Sequence, residues 1–402
     1  MTDAAIPIPA GNGESLDSAI LRLLMETIPD RIYFKNLESR FVRVNAAHAR
    51  FLGAESPEHV IGKNDFDFFS ADHASRALAG EKEIIRSGVP ILGRVESITK
   101  RDGTKAWGST TKMPWRDGSG QIIGTFGLTR DVTAAKRAED KLAERSAEME
   151  ADLRVARQIQ EAFFPRRYPT FPRNAGPART GLRFDHRYVA AATLGGDFFH
   201  IIPLSDTRCG ILVCDVMGHG VRAGLLTALI RGAMEELGPR AGDPAHVLGE
   251  LNRGLMPIVE QTGQPVFATA FYAVIDLAAG TLCYANAGHP PPFVLRRTRG
   301  VVERLALEDP EPATGLVEGF TFSQHDFPFN PGDCLIGFTD GLLEATDPHG
   351  EMYGEANVQA VLQGKLSAPS EDLLPRLLAG IEQFSGRSEF EDDLCLLAVW
   401  RP

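Results

Sequence analysis

The sequence predicts a multidomain chain: an α+β domain with an antiparallel sheet, a helical linker, and a larger domain of packed sheets with helices outside. Three observations predict it. Between residues 19 and 133, two short strand-like runs and small helices precede three long strand-like runs. Residues 132–164 hold neither glycine nor proline and are rich in Ala, Glu, Arg and Lys. From about residue 180, apolar strand-like runs alternate with helical patterns. A length of 402 residues suits two or three domains. With 43% hydrophobic and 24% charged residues, disorder as the main state is excluded.

Residues 1–18 are small, acidic and rich in Pro and Gly. They read as a disordered tail without the basic start of a signal peptide. In the domain at 19–133, Ile20–Ile28 has helical spacing. Arg31–Phe34 and Phe41–Val44 read as strands, Ala46–Leu52 and Ala71–Ser87 as helices, and Ile91–Thr99, Lys105–Pro114 and Gln121–Asp131 as strands. Asp102-Gly103 and Asp117-Gly118 occupy the last two connections, as tight hairpins require.

The linker, 134–164, carries Ala135, Leu142, Met149, Ala156 and Phe163 at seven-residue spacing. Its other seam is Glu139, Ser146, Leu153 and Gln160. One apolar and one mixed seam predict a marginal parallel coiled coil, hence a homodimer through the linker and the domain before it; the plainer reading is a single helix lying on a domain. In the segment 165–402, strands are expected at Arg183–Tyr188, Asp197–Pro203, Gly210–Val216, Ala268–Asp276, Thr281–Asn286, Pro292–Arg297, Asp333–Phe338 and Leu394–Trp400. Helices are expected at Val221–Leu237, Pro244–Glu260 and Leu373–Phe384.

The net charge of −11 argues against a nucleic-acid binder, which needs a basic face. No apolar run approaches the ~20 residues that span a bilayer. The five cysteines are odd in number and lack CxxC spacing, which suits free thiols and a cytoplasmic location.

Carboxylates recur in the last segment where apolar strands meet turns: Gly195-Gly196-Asp197, Asp215 before Met217-Gly218-His219-Gly220, Asp340-Gly341, and Asp392-Asp393. One such aspartate is ordinarily a cap or turn former. Four at strand–turn junctions of one domain can meet at one edge of its core, where like charge is tolerable only with cations. Hard divalent ions fit an all-oxygen set, and no Cys/His spacing favours zinc.

Five motifs carry a resemblance: Gly195-Gly196-Asp197-Phe198-Phe199, Asp215–Gly220, Asn286-Ala287-Gly288-His289-Pro290, Thr339–Ala345, and Asp392-Asp393. In that order they resemble the metal-dependent protein serine/threonine phosphatases (PPM, protein phosphatase 2C-like), in particular their bacterial stress-response and sporulation branch. Ala156, Ile159, Gln160 and Phe163-Phe164-Pro165 resemble that branch's entry helix. The resemblance implies an α/β sandwich of two antiparallel sheets flanked by helices, with two Mn²⁺ or Mg²⁺ ions. Asp215 would bridge the ions, Asp197 and the Val216 carbonyl would serve one, and Asp340 and Asp392 the other. Asp393 would be a supporting residue or a strand cap. The implied chemistry is in-line attack of water on phosphorus without a phosphoenzyme, and the implied substrate is a phosphorylated regulatory protein such as an anti-sigma-factor antagonist. His219 is a candidate proton donor, and it fits a turn equally well. His289, with Asn286 and Gly288, is expected to shape a turn.

Asp30–Phe34, Phe41–Ala46, Gly62–Phe69 and Thr129–Thr133 resemble a PAS domain, which implies a sensor with an unknown ligand. The absence of cysteine before Cys209 excludes flavin–cysteine photochemistry there. Two further readings are a catalytically weak scaffold with the same fold and a diguanylate cyclase. The cyclase signature would need Glu where Phe198 stands, and it leaves the later motifs unexplained.

Overall fold

The computed structural model describes residues 15–191, 193–366, 369–387 and 390–402. Most of the expected tail therefore lies outside the described residues, and its last part is helical instead. Ser15 caps a helix that begins at Leu16, because its hydroxyl accepts from the Ser18 amide. The chain divides into two compact units between Ala147 and Glu148.

The first unit runs α1 (Leu16–Thr27), β1 (Arg31–Asn36), β2 (Phe41–Val44), α2 (Ala46–Leu52), α3 (Ala71–Ser87), β3 (Ile91–Thr99), β4 (Lys105–Arg116) and β5 (Ile122–Asp131). The strands form one antiparallel sheet in the order β2-β1-β5-β4-β3. Asn45 explains how β2 turns into α2: its Oδ1 accepts from the amides of Ile32 and His48, at 3.0 and 2.8 Å. Gly53 and Gly88 end the two helices in left-handed conformation, where other residues are strained. In the β4–β5 hairpin the positive φ falls on Gly120, not Gly118, while Asp117 accepts from Ser119 and Gln121.

Helix α4 (Thr133–Glu161) follows without a break and ends before Pro165. The second unit then runs β6 (Arg183–Val189), β7 (Asp197–Pro203), β8 (Arg208–Val216), α5 (Val221–Leu237), α6 (Pro244–Thr262), β9 (Ala268–Asp276), β10 (Thr281–Ala287), β11 (Phe293–Arg296), β12 (Val301–Arg304), β13 (His325–Pro328), β14 (Asp333–Phe338), α7 (Gly341–Glu344), α8 (Gly354–Gln363), α9 (Leu373–Ser385) and β15 (Leu394–Trp400). Two five-stranded antiparallel sheets result, ordered β13-β10-β9-β8-β7 and β12-β11-β14-β15-β6.

The unbroken apolar runs of the sequence follow from this layering. On β15, Cys395, Leu397 and Val399 join Ile211, Val213 and Phe271 in the core between the sheets. The alternate residues Leu394, Leu396 and Ala398 pack with Leu374, Leu377 and Ile381 of α9. A strand buried on both faces needs no polar alternation. Helices α5 and α6 cover the first sheet through Ile230, Met234, Leu248 and Leu251.

Candidate active site

Asp197 opens β7 and Asp215 is the penultimate residue of β8, and the two are direct partners in the antiparallel ladder. Partners on neighbouring strands share a face, so both carboxyls stand at one end of the first sheet. Asp340 lies two residues after the end of β14, and Asp392 two residues before the start of β15. Because β14 and β15 pair antiparallel, with Phe338 opposite Leu396, these two also reach one end of their sheet.

The backbone there tolerates no side chain at two glycines. A Cβ on Gly196 would lie 2.3 Å from the Val216 carbonyl oxygen, and one on Gly341 would lie 2.1 Å from that of Asp393. Thr339 ties the two strand ends together, its hydroxyl accepting from the Cys395 amide at 2.9 Å. The Gly-Gly-Asp and Thr-Asp-Gly motifs thus read as close backbone approach beside a carboxylate.

Electrostatics show the four aspartates acting on one another. Burial and the Asp215 charge push Asp197 well above the usual carboxylate range, with Thr339 opposing. Burial and then Asp340 raise Asp215 to about 7, with Asp392 adding. Burial, Glu344 and Asp392 raise Asp340 to about 6. Asp197 is 2% exposed, and its Oδ2 has no hydrogen-bond partner. Among the described residues, no three His, Cys, Asp or Glu side chains form a ready-made coordinating group. The ladder pairing of Asp197 with Asp215 and the mutual raising of the carboxyl pKa values put these groups in one region.

The donor set fits hard divalent cations. It is all oxygen, it includes a buried unpartnered carboxylate atom, and its members disfavour one another's ionisation. Asp197, Asp215, Asp340, Asp392 and the Val216 carbonyl are the residues able to hold them.

Asp393 faces away from such a role. Its Oδ1 accepts from the Ala191 amide at 2.9 Å and its Oδ2 from the Gly196 amide at 2.7 Å. It therefore fixes the loop that delivers Asp197. His219 is exposed and lies between Gly218 and Gly220, both at positive φ, in a turn. His289 is buried and bonded through Nδ1 to the Thr269 hydroxyl at 2.8 Å. Asn286 bonds both the His289 amide and its carbonyl, which makes this motif a pinned turn.

Two contributors stand in motifs of the sequence reading that gave them no role at the aspartates. Glu344 adds negative charge beside Asp340. Gln160, placed there on a coiled-coil seam, is instead 5% exposed and clamps the Gly-Gly-Asp loop. Its Nε2 donates to the Gly195 carbonyl at 2.7 Å, and its Oε1 accepts from the Gly195 amide at 3.1 Å. The signal available in the sequence was its place in the motif of Ala156, Ile159, Gln160 and Phe163-Phe164-Pro165. Phe164 completes the attachment, packed among His186, Tyr188 and Phe199.

Residues 205–402 match the family described as Stage II sporulation protein E, and residues 25–137 match the PAS fold. The second unit is a protein phosphatase 2C-type domain of that family, behind an N-terminal PAS domain. Protein IcfG of Synechocystis sp. is 28% identical over 276 residues, covering 62% of this chain and 41% of that protein. Phosphoserine phosphatase RsbP of Bacillus subtilis is 27% identical over 219 residues, covering 54% of this chain and 52% of that protein. The chain thus spans about half the length of these curated relatives. The solved SiaA-PP2C domain of Pseudomonas aeruginosa covers 65% of this chain and 99% of its own, at 23% identity and a TM-score of 0.53, a likeness of fold.

Proposed function

We propose that the protein is a metal-dependent serine/threonine phosphatase that hydrolyses phosphoserine or phosphothreonine on a regulatory protein of the anti-sigma-factor-antagonist kind, under control of the PAS domain. The carrying observation is the Asp197–Asp215 ladder pair whose charges are felt together with those of Asp340 and Asp392. In this reading Asp197 and the Val216 carbonyl hold one ion, Asp340 and Asp392 a second, and Asp215 both. Mn²⁺ or Mg²⁺ bound there supplies charge for the phosphoryl oxygens and acidifies water for attack on phosphorus.

The chain's own residues orient these groups. Asp393 and Gln160 hold the Asp197 loop from two sides, and Thr339 holds the Asp340 turn. A cavity of about 200 Å³ lined by Gly341, Glu344, Thr346, Arg387 and Asp392 adjoins them and offers room for a phosphorylated segment. On its exposed rim the Arg387 guanidinium pairs with Glu391 at 3.1 Å, a bond that a phosphate can replace. That the relative RsbP is a phosphoserine phosphatase by name supports the substrate class. The large exposure of Leu142 and Met149 on α4 supports pairing with a second copy. No described helix is long and apolar enough to cross a membrane.

Hydrolysis of an aryl phosphate in Mn²⁺ tests the reading. The wild type is expected to turn over, and Asp215→Asn to lose at least 100-fold in kcat, in line with losing a shared cation ligand. Equal rates would reject it.

A further inference from the structure

The second sheet of the phosphatase unit ends on β6, and the phosphatase reading does not use its outer edge. Which backbone groups face that edge follows from β15. The Cys395 amide donates to the Thr339 hydroxyl, and the Cys395 carbonyl accepts from the Thr339 amide. Cys395, and with it Leu397 and Val399, therefore turns its backbone toward β14. Their partners in the ladder with β6 are Tyr188, His186 and Phe184. These three residues thus direct their N–H and C=O groups away from β15, to the open side.

Side chains of the strand itself cover only the middle position. Asp185 Oδ1 accepts from the His186 amide at 2.9 Å, and Arg187 Nη1 donates to the His186 carbonyl at 2.6 Å. Among the described residues, no hydrogen bond from outside the ladder reaches the backbone of Phe184 or Tyr188. An edge left open in this way is a template for an added strand.

A groove of about 920 Å³ runs along this edge. Trp400 gives it an apolar wall, and Arg167, Arg183 and Arg187 outnumber Asp185 and Glu371 on its lining. Asp185 is already paired with Arg187 at 2.6 Å. Arg183 reaches Glu371 only at 4.0 Å, and its Nε is buried without a hydrogen-bond partner. Residues 166–187 hold six arginines and a single acidic residue, in a chain whose net charge is −11. Charge therefore favours an acidic occupant. A second copy seated on the edge would bring the same arginines against these.

We propose that the β6 edge binds an extended acidic segment of a partner protein as an added antiparallel strand. Its residues opposite Phe184 and His186 exchange backbone hydrogen bonds with them, and the side chains of Asp185 and Arg187 swing off His186. Its residues opposite Arg187 and Arg183, four apart, are acidic, and the one between them, opposite Asp185, is uncharged. Arg183 stands opposite Trp400, at the end of β15 remote from Asp392. Docking does not depend on hydrolysis, so failure here leaves the phosphatase reading intact.

Fluorescence anisotropy on the full chain tests it, with a labelled nine-residue peptide carrying Glu-Val-Thr-Val-Glu at its centre. Saturable binding in the submillimolar range is expected. Replacing both glutamates of the peptide by lysine is expected to weaken binding at least tenfold. So is N-methylation of its two valines, which removes the pairing N–H groups and keeps the charge. The Arg183→Glu/Arg187→Glu variant is expected to reverse the preference and bind the lysine peptide better, with circular dichroism checking the fold. No saturable binding of the glutamate peptide by the wild type would overturn the proposal, a second copy already holding the edge included. So would equal binding of the N-methylated peptide, which would mean charge attraction alone, or undiminished binding of the glutamate peptide by the charge-reversed variant.

Discussion

Replacing Gln160 by Leu keeps the size of the side chain and removes its amide. In the folded protein that amide satisfies both polar groups of the Gly195 peptide unit, at 2.7 and 3.1 Å, in a buried setting. A buried donor or acceptor left without a partner costs about 1–3 kcal/mol. Two of them bring the gross penalty to about 2–6 kcal/mol. The Thr227 hydroxyl, 3.2 Å from Gln160 Nε2, keeps its bond to the Gly224 carbonyl and adds little. The loop can recover part of the penalty by opening to water, and opening moves Asp197, two residues on. Gln160→Leu is therefore expected to destabilise the second unit by about 2–4 kcal/mol and to lower Mn²⁺-dependent kcat at least tenfold, with little change in KM. Urea unfolding and initial rates on an aryl phosphate, taken where the variant is fully folded, measure both. A Gln160→Leu enzyme with wild-type kcat would refute the clamp.

Asp393→Asn retains one acceptor for the two amides of Ala191 and Gly196. We expect about 2 kcal/mol of lost stability and reduced Mn²⁺ affinity by titration, because the Asp197 loop loses its anchor. Acid sensitivity of the PAS domain is expected from His48. Burial, reinforced by Lys35 and Arg31, pushes its pKa down to about 3, against about 6.5 in the unfolded chain. Below that unfolded value the unfolded chain binds a proton that the folded domain refuses, so stability falls as pH falls. The loss between pH 7.5 and 5.5 is about 1.4 kcal/mol. Denaturation curves at the two pH values should show a loss smaller by about 1.4 kcal/mol in His48→Phe than in the wild type, the remainder including His73, whose pKa burial also lowers.

The strands that form the interior of the second unit were legible because burial on both faces makes their apolar runs unbroken. Ala268–Asp276, Asp333–Phe338 and Leu394–Trp400 coincide with the elements expected. The elements that were missed lie at edges or lack a start signal. Strand β13 is the edge sequence His325–Pro328, largely exposed and without apolar alternation. Strand β12 closes the other sheet, with only Val302 buried. Helix α8 begins after Tyr353 without a side-chain cap, so nothing local announces it.

At the site, spacing identified which aspartates terminate strands, since a carboxylate after an apolar run is visible in one dimension. Asp393 was ambiguous because its partners, the amides of Ala191 and Gly196, lie about 200 residues away in sequence. The role of Gln160 was hidden for the same reason. A seven-residue repeat reports which face of a helix is polar, and says nothing of the loop that will cover it.

The most direct test of the central claim is a crystal structure grown with Mn²⁺ and phased on its anomalous signal. The account predicts two manganese peaks at the starts of β7 and β15 and the ends of β8 and β14, with carboxylate oxygens of Asp197, Asp215, Asp340 and Asp392 and the Val216 carbonyl within about 2.0–2.3 Å of them. Manganese bound elsewhere, or any of these four side chains off the metal at saturating Mn²⁺, would contradict it.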